Sequence, residues 1–207
     1  MTQYNRKVLV LFAHPSIERS EVNVELFAAS QQVPGVTAVE LYRDYCTLQI
    51  DIDREQQRLL AHDVIVFMFP LYWYSTPSLL KEWQDLVLEY GFAYGPDGVA
   101  LHGKTFLCAL TAGGPQSAYC EQGYNKCSLR ELLRPLEQTA DLCGMRVLAP
   151  FALFGSRTAV EEDRLHCHVA DWRRVLEALR DDQLDLHRAM GLSTLNGHLP
   201  DLIGATA

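Results

Sequence analysis

The sequence has no excess of positive charge. Its 207 residues include 18 Lys and Arg against 26 Asp and Glu, which gives a formal net charge of -8. A protein that grips a phosphate backbone needs the opposite balance on its surface. The composition therefore argues against nucleic acid as a partner.

Long hydrophobic runs are also missing. The longest nearly unbroken apolar run, residues 64–74, is interrupted by Pro70, and it is well short of the ~20 residues that a membrane-spanning helix needs. The first residues lead directly into a short strand-like run, without the apolar stretch and cleavage site of a secretory signal. We therefore expect a cytoplasmic protein.

Disulfide, metal and hydrolase patterns are absent as well. No CxxC pair occurs, so we expect reduced thiols that mostly serve packing, at Cys46, Cys108, Cys120, Cys127, Cys143 and Cys167. His166, Cys167 and His168 are consecutive, and adjacent side chains on a helix point about 100° apart, so we predict no metal site. No GxSxG nucleophile elbow supports a hydrolase.

Five short apolar runs predict strands that are covered on both faces of a sheet. They lie at residues 8–13, 36–42, 64–69, 105–111 and 146–153. Helix-like patterns alternate with them, which predicts an α/β fold with a doubly wound parallel sheet of order 2-1-3-4-5 and helices on both faces. In such sheets ligands bind at the carboxyl ends of the strands.

Local patterns predict where several helices begin. Thr76 precedes Pro77 at a predicted first helical position. Ser128 and Thr158 each stand three residues before a glutamate, the pattern of a capping box. Pro135 lies inside the helix that follows Ser128, where we expect a kink or a break.

The length and the 48% hydrophobic content suit one core. We assign residues 1–180 to a single domain, whose ligand is indicated by the loops described next. Residues 181–207 lose the helical periodicity and contain Asn196, Gly197, Pro200 and Gly204. We expect them to form a C-terminal tail that is mobile or lies on a partner.

The loop after the first strand offers small hydrogen-bond donors at a helix start. His14, Ser16, Ser20 and Asn23 surround the free N–H groups there, an arrangement that suits a phosphate. Neither GxGxxG nor a Walker A pattern is present. The competing interpretation is that Ser20 and Asn23 only cap the helix and His14 only closes a turn.

Three consecutive aromatic residues follow the third strand. Tyr72, Trp73 and Tyr74 cannot all point into one core. We therefore expect at least one ring at the mouth of the sheet, where it would flank a planar ligand. The alternative is a plug of core aromatics or a dimer contact.

Adjacent glycines follow the fourth strand. Gly113 and Gly114, after Thr111 and Ala112, let the backbone approach a ligand and leave N–H groups free for an oxygen-rich edge. A plain turn is the competing interpretation. Together, the three loops suit one ligand with a phosphate, a flat ring system and a polar ring edge, which describes a flavin nucleotide.

Motifs in these loops resemble those of the flavodoxin-like NAD(P)H:quinone oxidoreductases, the family of DT-diaphorase and modulator of drug activity. They are AHP at residues 13–15, SEVN at 20–23, FPLYWYSTPSLLKEW at 69–83, GFAYG at 91–95 and TAGG at 111–114. The chain is particularly similar to bacterial ancillary proteins of glutathione-gated potassium efflux systems, also at residues 50–53 and 133–136. The resemblance covers about residues 7–180, and YWYSTPSLLKEW is its most specific part.

The resemblance implies a set of cofactor-binding positions. For the flavin phosphate, held largely by backbone N–H groups, they are His14, Ser20, Glu21, Val22 and Asn23; for the isoalloxazine ring, Leu71, Tyr72, Trp73 and Tyr74; for its pyrimidine edge, Thr111, Ala112, Gly113 and Gly114.

The same resemblance implies catalytic and substrate positions. Tyr119 corresponds to a family tyrosine that helps to stabilise charge during hydride transfer. The catalytic histidine of DT-diaphorase aligns with Asn125, so protonation there would need water or Tyr119 instead. Family members are homodimers with the active site at the interface, which makes Phe92 and Tyr94 candidates for a neighbour's substrate pocket.

The implied activity is two-electron hydride transfer from NADH or NADPH through bound FMN, with FAD as the alternative cofactor, to a quinone-like acceptor. The alternative function is a flavin-binding ancillary subunit that regulates a potassium efflux transporter, which would place the protein peripherally at the inner membrane. A one-electron flavodoxin fits less well, because the chain is longer and carries the FAY segment at residues 92–94.

Overall fold

The computed structural model describes residues 4–204. Its strands are β1 (Val8–Phe12), β2 (Val36–Glu40), β3 (Val64–Pro70), β4 (Thr105–Ala112), β5 (Arg146–Val147) and β6 (Phe151–Phe154). Its α-helices are α1 (Glu21–Gln32), α2 (Leu41–Asp44), α3 (Ile52–Ala61), α4 (Ser78–Val87), α5 (Leu129–Leu142), α6 (Arg164–Arg180), α7 (Leu186–Met190) and α8 (Leu199–Leu202).

The strands form one parallel sheet with the order β2-β1-β3-β4-β5, which confirms the predicted α/β topology. The sheet has a sixth strand, because the predicted strand at residues 146–153 is interrupted. β5 pairs with the start of β4 and β6 with its end. Between them the Ala149 N–H bonds to Ala189 O instead of β4, and Pro150 has no N–H to donate.

Helices cover both faces of the sheet, so every residue of β1, β3 and β4 is buried. Because side chains alternate along a strand, Val8, Val10 and Phe12 pack in one apolar cluster with α1 and α6. Leu9 and Leu11 pack in the other, with α3, α4 and α5. This two-sided burial explains why the strands read as continuous apolar runs.

The predictions for α5 had different outcomes at Ser128 and at Pro135. Ser128 and Glu131 form the predicted capping box at the start of α5. Pro135 lies within α5, which continues to Leu142 without the predicted break. Its missing N–H removes one bond of the helix and leaves the remaining turns in place.

Two predicted helix starts were wrong. Pro77 is the N-cap of α4, with an extended ψ of 147°, so the helix begins one residue later, at Ser78. The Thr158 hydroxyl donates back to Gly155 O in a turn, and α6 begins only at Arg164, after Asp163 in left-handed conformation. The Thr158 hydroxyl oxygen accepts from Arg164 Nη2 at 3.3 Å instead of from a backbone N–H of a first helical turn.

The C-terminal segment packs along the free edge of the sheet. Leu195 N–H bonds to Pro150 O at 2.9 Å, and Asn196 Oδ1 accepts the Ala152 N–H at 2.8 Å. Its apolar side chains are buried in the α1 and α6 cluster: Leu184, Ala189, Leu195, Leu199 and Leu202. The apolar side chains of this segment up to Leu202 thus belong to the core, which differs from the mobile or partner-bound tail expected from the sequence. The boundary at residue 180 stays a prediction.

None of the helices within residues 4–204 combines the length and the apolar character that crossing a bilayer requires.

Candidate functional site

The loops after β1, β3 and β4 meet at the carboxyl edge of the sheet and are joined by hydrogen bonds. His14 Nε2 lies 3.2 Å from the Tyr72 hydroxyl, which links the first two loops. Thr111 links the third loop to both others, since its hydroxyl donates to Asn23 Oδ1 at 3.2 Å and its carbonyl accepts the Leu71 N–H at 2.8 Å. The structure therefore brings the three predicted loops into one group.

The start of α1 presents backbone N–H groups at this edge. Ser20 caps the helix, because its hydroxyl oxygen accepts from the Asn23 amide at 3.1 Å and from Asn23 Nδ2 at 2.9 Å. The amides of Glu21 and Val22 have no acceptor inside the helix. The Glu21 side chain is exposed and that of Val22 is in the core. Backbone N–H groups are therefore what this turn offers to an anion.

His14 is a buried, neutral group in this arrangement. Its side chain is 3% exposed, and Nδ1 accepts the Ser16 N–H at 3.2 Å. The neutral ring then carries its proton on Nε2, which donates to Tyr72. Burial lowers the pKa of His14, an effect that Glu18 partly offsets. His14 therefore fixes Tyr72 in place and adds no positive charge to the site.

The aromatic residues after β3 form a tight turn that projects into solvent. Trp73 and Tyr74 both have left-handed backbone conformation, with φ of 49° and 63°, and the Ser75 N–H closes the turn on Tyr72 O at 3.0 Å. Glycine, asparagine and aspartate dominate such turns, so two bulky residues there are strained. Trp73 is 93% exposed, which is incompatible with a plug of core aromatics.

A cleft of about 390 Å³ lies beside this turn, bounded by Tyr74, Gly114, Pro115, Ser117, Ala118, Tyr119, Tyr124 and Asn125. The Tyr74 hydroxyl donates to Asn125 Oδ1 at 3.2 Å. A Cβ on Gly114 would lie 3.4 Å from the Tyr119 ring. Neither Gly113 nor Gly114 has a positive φ, so these glycines supply space in the cleft and no special turn.

The Tyr119 hydroxyl is a hydrogen-bond donor at neutral pH. Burial raises the pKa of Tyr119 above its ordinary value of 10.0; hydrogen bonds from the Gly114 backbone and the Asn125 side chain oppose this shift, and the nearby Tyr74 and Cys127 add to it. The proton therefore stays on the oxygen throughout the physiological range.

The loop after β6 also contributes to the site, and the sequence interpretation missed it. Gly155 N–H bonds to Gly114 O at 2.8 Å, and Ser156 N–H bonds to Ala112 O at 3.0 Å. The Phe154 ring lies 5.2 Å from the Tyr119 ring. The sequence could have indicated this loop, because it follows the last predicted strand directly and all parallel strands end at one edge of the sheet.

Phe92 and Tyr94 are not brought to this group within one chain. They follow α4, which starts at the carboxyl edge and, at about 1.5 Å per residue, carries the chain some 15 Å towards the amino ends of the strands. There both side chains are partly buried against the core cluster on the α4 face.

The part of the chain that the structure describes holds no group of three or more His, Cys, Asp or Glu side chains that could bind a metal ion. All six cysteines are free thiols.

Comparison with known sequences identifies relatives along most of the chain. A family model described as a flavodoxin-like fold matches residues 6–176. The chain is 45% identical over 157 residues to the uncharacterized NAD(P)H oxidoreductase YdeQ of Bacillus subtilis, covering 76% of this chain and 80% of that protein. It is 46% identical over 157 residues to KefG of Cronobacter sakazakii, a glutathione-regulated potassium-efflux system ancillary protein, covering 76% and 85%.

Solved structures share the backbone arrangement. General stress protein 14 from Treponema denticola, in complex with FMN, is 38% identical with a TM-score of 0.79, over 84% of this chain and 99% of that one. An NADPH-quinone reductase from P. pentosaceus is 31% identical with a TM-score of 0.74, over 82% and 96%.

Proposed function

Because this chain belongs to the family with the flavodoxin-like fold, we propose that it is an NAD(P)H oxidoreductase that binds FMN at the carboxyl edge of its sheet. The observation that carries the proposal is the group of three loops joined through His14, Tyr72, Asn23 and Thr111. The FMN complex of the Treponema denticola relative supports FMN over FAD.

The residues present fit this cofactor. The Glu21 and Val22 amides, with the α1 dipole, suit a phosphate without any basic side chain. Gly114 leaves open a space beside Tyr119 that a Cβ would narrow. The positions that would hold FMN are His14, Ser20, Glu21, Val22 and Asn23 for the phosphate, Leu71, Tyr72, Trp73 and Tyr74 for the ring, and Thr111, Ala112, Gly113 and Gly114 for the ring edge.

When bound, FMN supplies the hydride chemistry, taking two electrons from NADH or NADPH and passing them to a quinone-like acceptor. In this proposal the protonated Tyr119 hydroxyl donates a hydrogen bond to negative charge that develops in the site. Asn125 orients Tyr74 across the same cleft. The exposed Trp73 ring lies beside the flavin ring in this proposal.

The substrate pocket is proposed to be completed in a homodimer. Phe92 and Tyr94 do not line the cleft of their own chain, and in this proposal they contribute to the site of a neighbouring subunit. The P. pentosaceus relative, an NADPH-quinone reductase, supports a quinone as the acceptor.

Anaerobic stopped-flow spectroscopy tests the proposed activity. Protein reconstituted with FMN is mixed with NADH or NADPH and then with 1,4-benzoquinone, and free FMN without protein is the control. We expect the flavin absorbance to bleach and then return on addition of quinone, at rates well above those of free FMN. An FMN-loaded protein that neither donor reduces faster than free FMN would contradict the proposal.

A second function is favoured by the 46% identity to the potassium-efflux ancillary protein of Cronobacter sakazakii. Here the same flavin-binding chain docks on the cytoplasmic domain of a glutathione-gated potassium efflux transporter, which places it peripherally at the inner membrane. Calorimetric titration with such a domain tests this: saturable binding supports docking, and no heat of binding with FMN-loaded protein contradicts it.

A further inference from the structure

Arg157 places an uncommitted positive charge beside the glycine pair of the site. Its Nε lies 3.5 Å from the position that a Cβ would take on Gly113. The side chain is exposed and forms no hydrogen bond or ion pair with any other residue from 4 to 204. By contrast, Arg164, seven residues later, is committed to Phe154 O, Gly155 O and Glu162.

The backbone around Arg157 is fixed relative to the glycine pair. The two residues before it, Gly155 and Ser156, donate their N–H groups to Gly114 O and Ala112 O. Arg164 holds the same loop from behind, since its guanidinium donates to Phe154 O at 2.9 Å and to Gly155 O at 2.8 Å. The guanidinium of Arg157 therefore starts from an anchored position and needs to order only its own side chain.

We propose that Arg157 sets the reduction potential of the bound flavin, by stabilising negative charge at the ring edge that faces Gly113 and Gly114. The inference rests on the proposed function. A hydride brings two electrons and one proton while NAD(P)H becomes NAD(P)⁺, so a ring system that takes up no second proton gains one negative charge. A nearby guanidinium favours that charged form over the oxidised one.

The other charges of the chain would not stabilise a negative charge on the flavin in place of Arg157. The net charge of -8 disfavours one more negative charge, the buried His14 is neutral, and Tyr119 offers a hydrogen bond without a full charge. Arg164 also carries a positive charge near the glycine pair, but that charge is paired with Glu162, whereas no carboxylate within residues 4–204 pairs with Arg157. Arg157 acts as a positioning and electrostatic residue and takes no part in bond making.

Measurement of the midpoint potential of bound FMN by equilibration with reference dyes tests the inference. We expect Arg157→Gln to weaken binding of the reduced relative to the oxidised flavin about tenfold, which lowers the two-electron potential by about 30 mV. Arg157→Lys keeps the charge and should retain most of the wild-type potential. Arg174→Gln removes an equal charge from the exposed face of α6 and should leave the potential unchanged.

Two further readouts separate the possible outcomes. The effect of Arg157→Gln should shrink in 1 M salt, because exposed charges are screened there. Equal potentials for wild-type and Arg157→Gln protein, both loaded with FMN, would overturn the inference and leave the proposed function intact. A wild-type protein that binds no FMN would instead overturn the proposed function, and the inference with it.

Discussion

Trp73 combines a strained backbone conformation with a side chain that contributes little to the stability of the folded protein. Its φ of 49° lies in the left-handed region, which costs about 1–2 kcal/mol for a residue with a Cβ. Its ring is 93% exposed, so burial does not repay that cost. Strain that the apo-fold does not need is typical of a residue retained for binding.

Trp73→Gly should therefore stabilise the apo-protein and weaken FMN binding. Glycine adopts positive φ freely but loses about 0.5–1 kcal/mol of chain entropy, which leaves a net gain of about 0.5–1 kcal/mol in urea unfolding. Loss of the ring should weaken FMN affinity about tenfold in a fluorescence titration. Leu48→Gly, at an exposed residue with φ of 61°, is the control that should gain stability without any change in affinity. A less stable Trp73→Gly protein would refute the strain argument.

Tyr119 is the residue whose chemistry depends most on its surroundings. Tyr119→Phe should slow FMN reduction by NADPH about tenfold or more, because the hydroxyl donor is lost, and should change FMN affinity little. Since burial raises the pKa of Tyr119, any fall in the wild-type rate from loss of this donor should occur at higher pH than the titration of an unperturbed tyrosine. Tyr124→Phe, on the exposed side of the same cleft, serves as the control. Equal stopped-flow rates for Tyr119→Phe and wild type would exclude the assigned role.

The sequence was more informative about some of these residues than about others. Three aromatics in a row after a buried strand predict an exposed ring, because one core cannot take all three. Arg157 carries no such pattern. The position of Arg157 beside the glycine pair depends on backbone hydrogen bonds between two loops about 40 residues apart, at Gly155–Gly114 and Ser156–Ala112. No local sequence pattern predicts such long-range bonds.

Glu55 ties two helices together beneath the aromatic turn. This carboxylate on α3 is fully buried and accepts hydrogen bonds from Tyr45 at 2.5 Å, from Trp83 Nε1 on α4 at 3.0 Å and from Arg58 at 2.5 Å. Burial and the Glu55 contact raise the pKa of Tyr45 to about 12. Since α4 begins directly after the aromatic turn, this contact holds one wall of the site.

Glu55→Ala should lower the free energy of unfolding by about 3 kcal/mol or more, because it leaves two buried donors, the Tyr45 hydroxyl and Trp83 Nε1, without their acceptor. Urea denaturation measures the loss. Glu25→Ala, at an exposed position of α1, should cost less than about 0.5 kcal/mol. Similar unfolding midpoints for the two variants would show that the network adds nothing to stability.

His168 should make the protein sensitive to acid. Its side chain points from α6 towards the edge of the sheet, stacked on Phe151 at 4.3 Å, and its Nδ1 lies 3.4 Å from Asn196 Nδ2. Its Nε2 has no hydrogen-bond partner among residues 4–204. Burial, with a smaller effect of Arg164, lowers the pKa of His168 from 6.5 to about 4. The unfolded chain thus takes up the proton first, so stability is full above pH 6.5 and falls as the pH drops towards 4.

The pKa of His168 differs between the unfolded and the folded chain, and this difference lowers the free energy of unfolding by about 3 kcal/mol at pH 4. His168→Phe keeps an aromatic ring on Phe151 and removes the titration. Urea unfolding between pH 7 and 4 should therefore show a shallower loss for the variant than for wild type. Parallel stability curves would mean that His168 does not couple folding to pH.

Secondary structure was predictable where one local force decides it. Ser128 and Glu131 satisfy each other within a single turn, so the capping box formed as predicted. Thr158 has the same spacing, but its hydroxyl is used by the turn at Gly155 and the helix starts six residues later. The split of β5 from β6 was hidden because it depends on Ala149 bonding to Ala189, a contact from outside the sheet.

For the whole molecule, composition and periodicity were sufficient to predict a parallel α/β sheet with ligand loops at one edge. The C-terminal segment was misjudged because its residues lack helical periodicity, although Leu195, Leu199 and Leu202 are buried against the edge of the sheet. The net charge of -8 also needs a narrower interpretation. It argues against long polyanions, whereas the N–H groups at the start of α1 suit a single phosphate.

A flavin at the carboxyl edge of the sheet is the central prediction for this protein. Mass spectrometry of the small molecule released from the denatured protein, after purification or reconstitution, measures this together with the flavin absorbance bands. We predict a yellow protein that releases one FMN per chain. A colourless protein that retains neither FMN nor FAD after reconstitution would contradict the assignment of a flavin site.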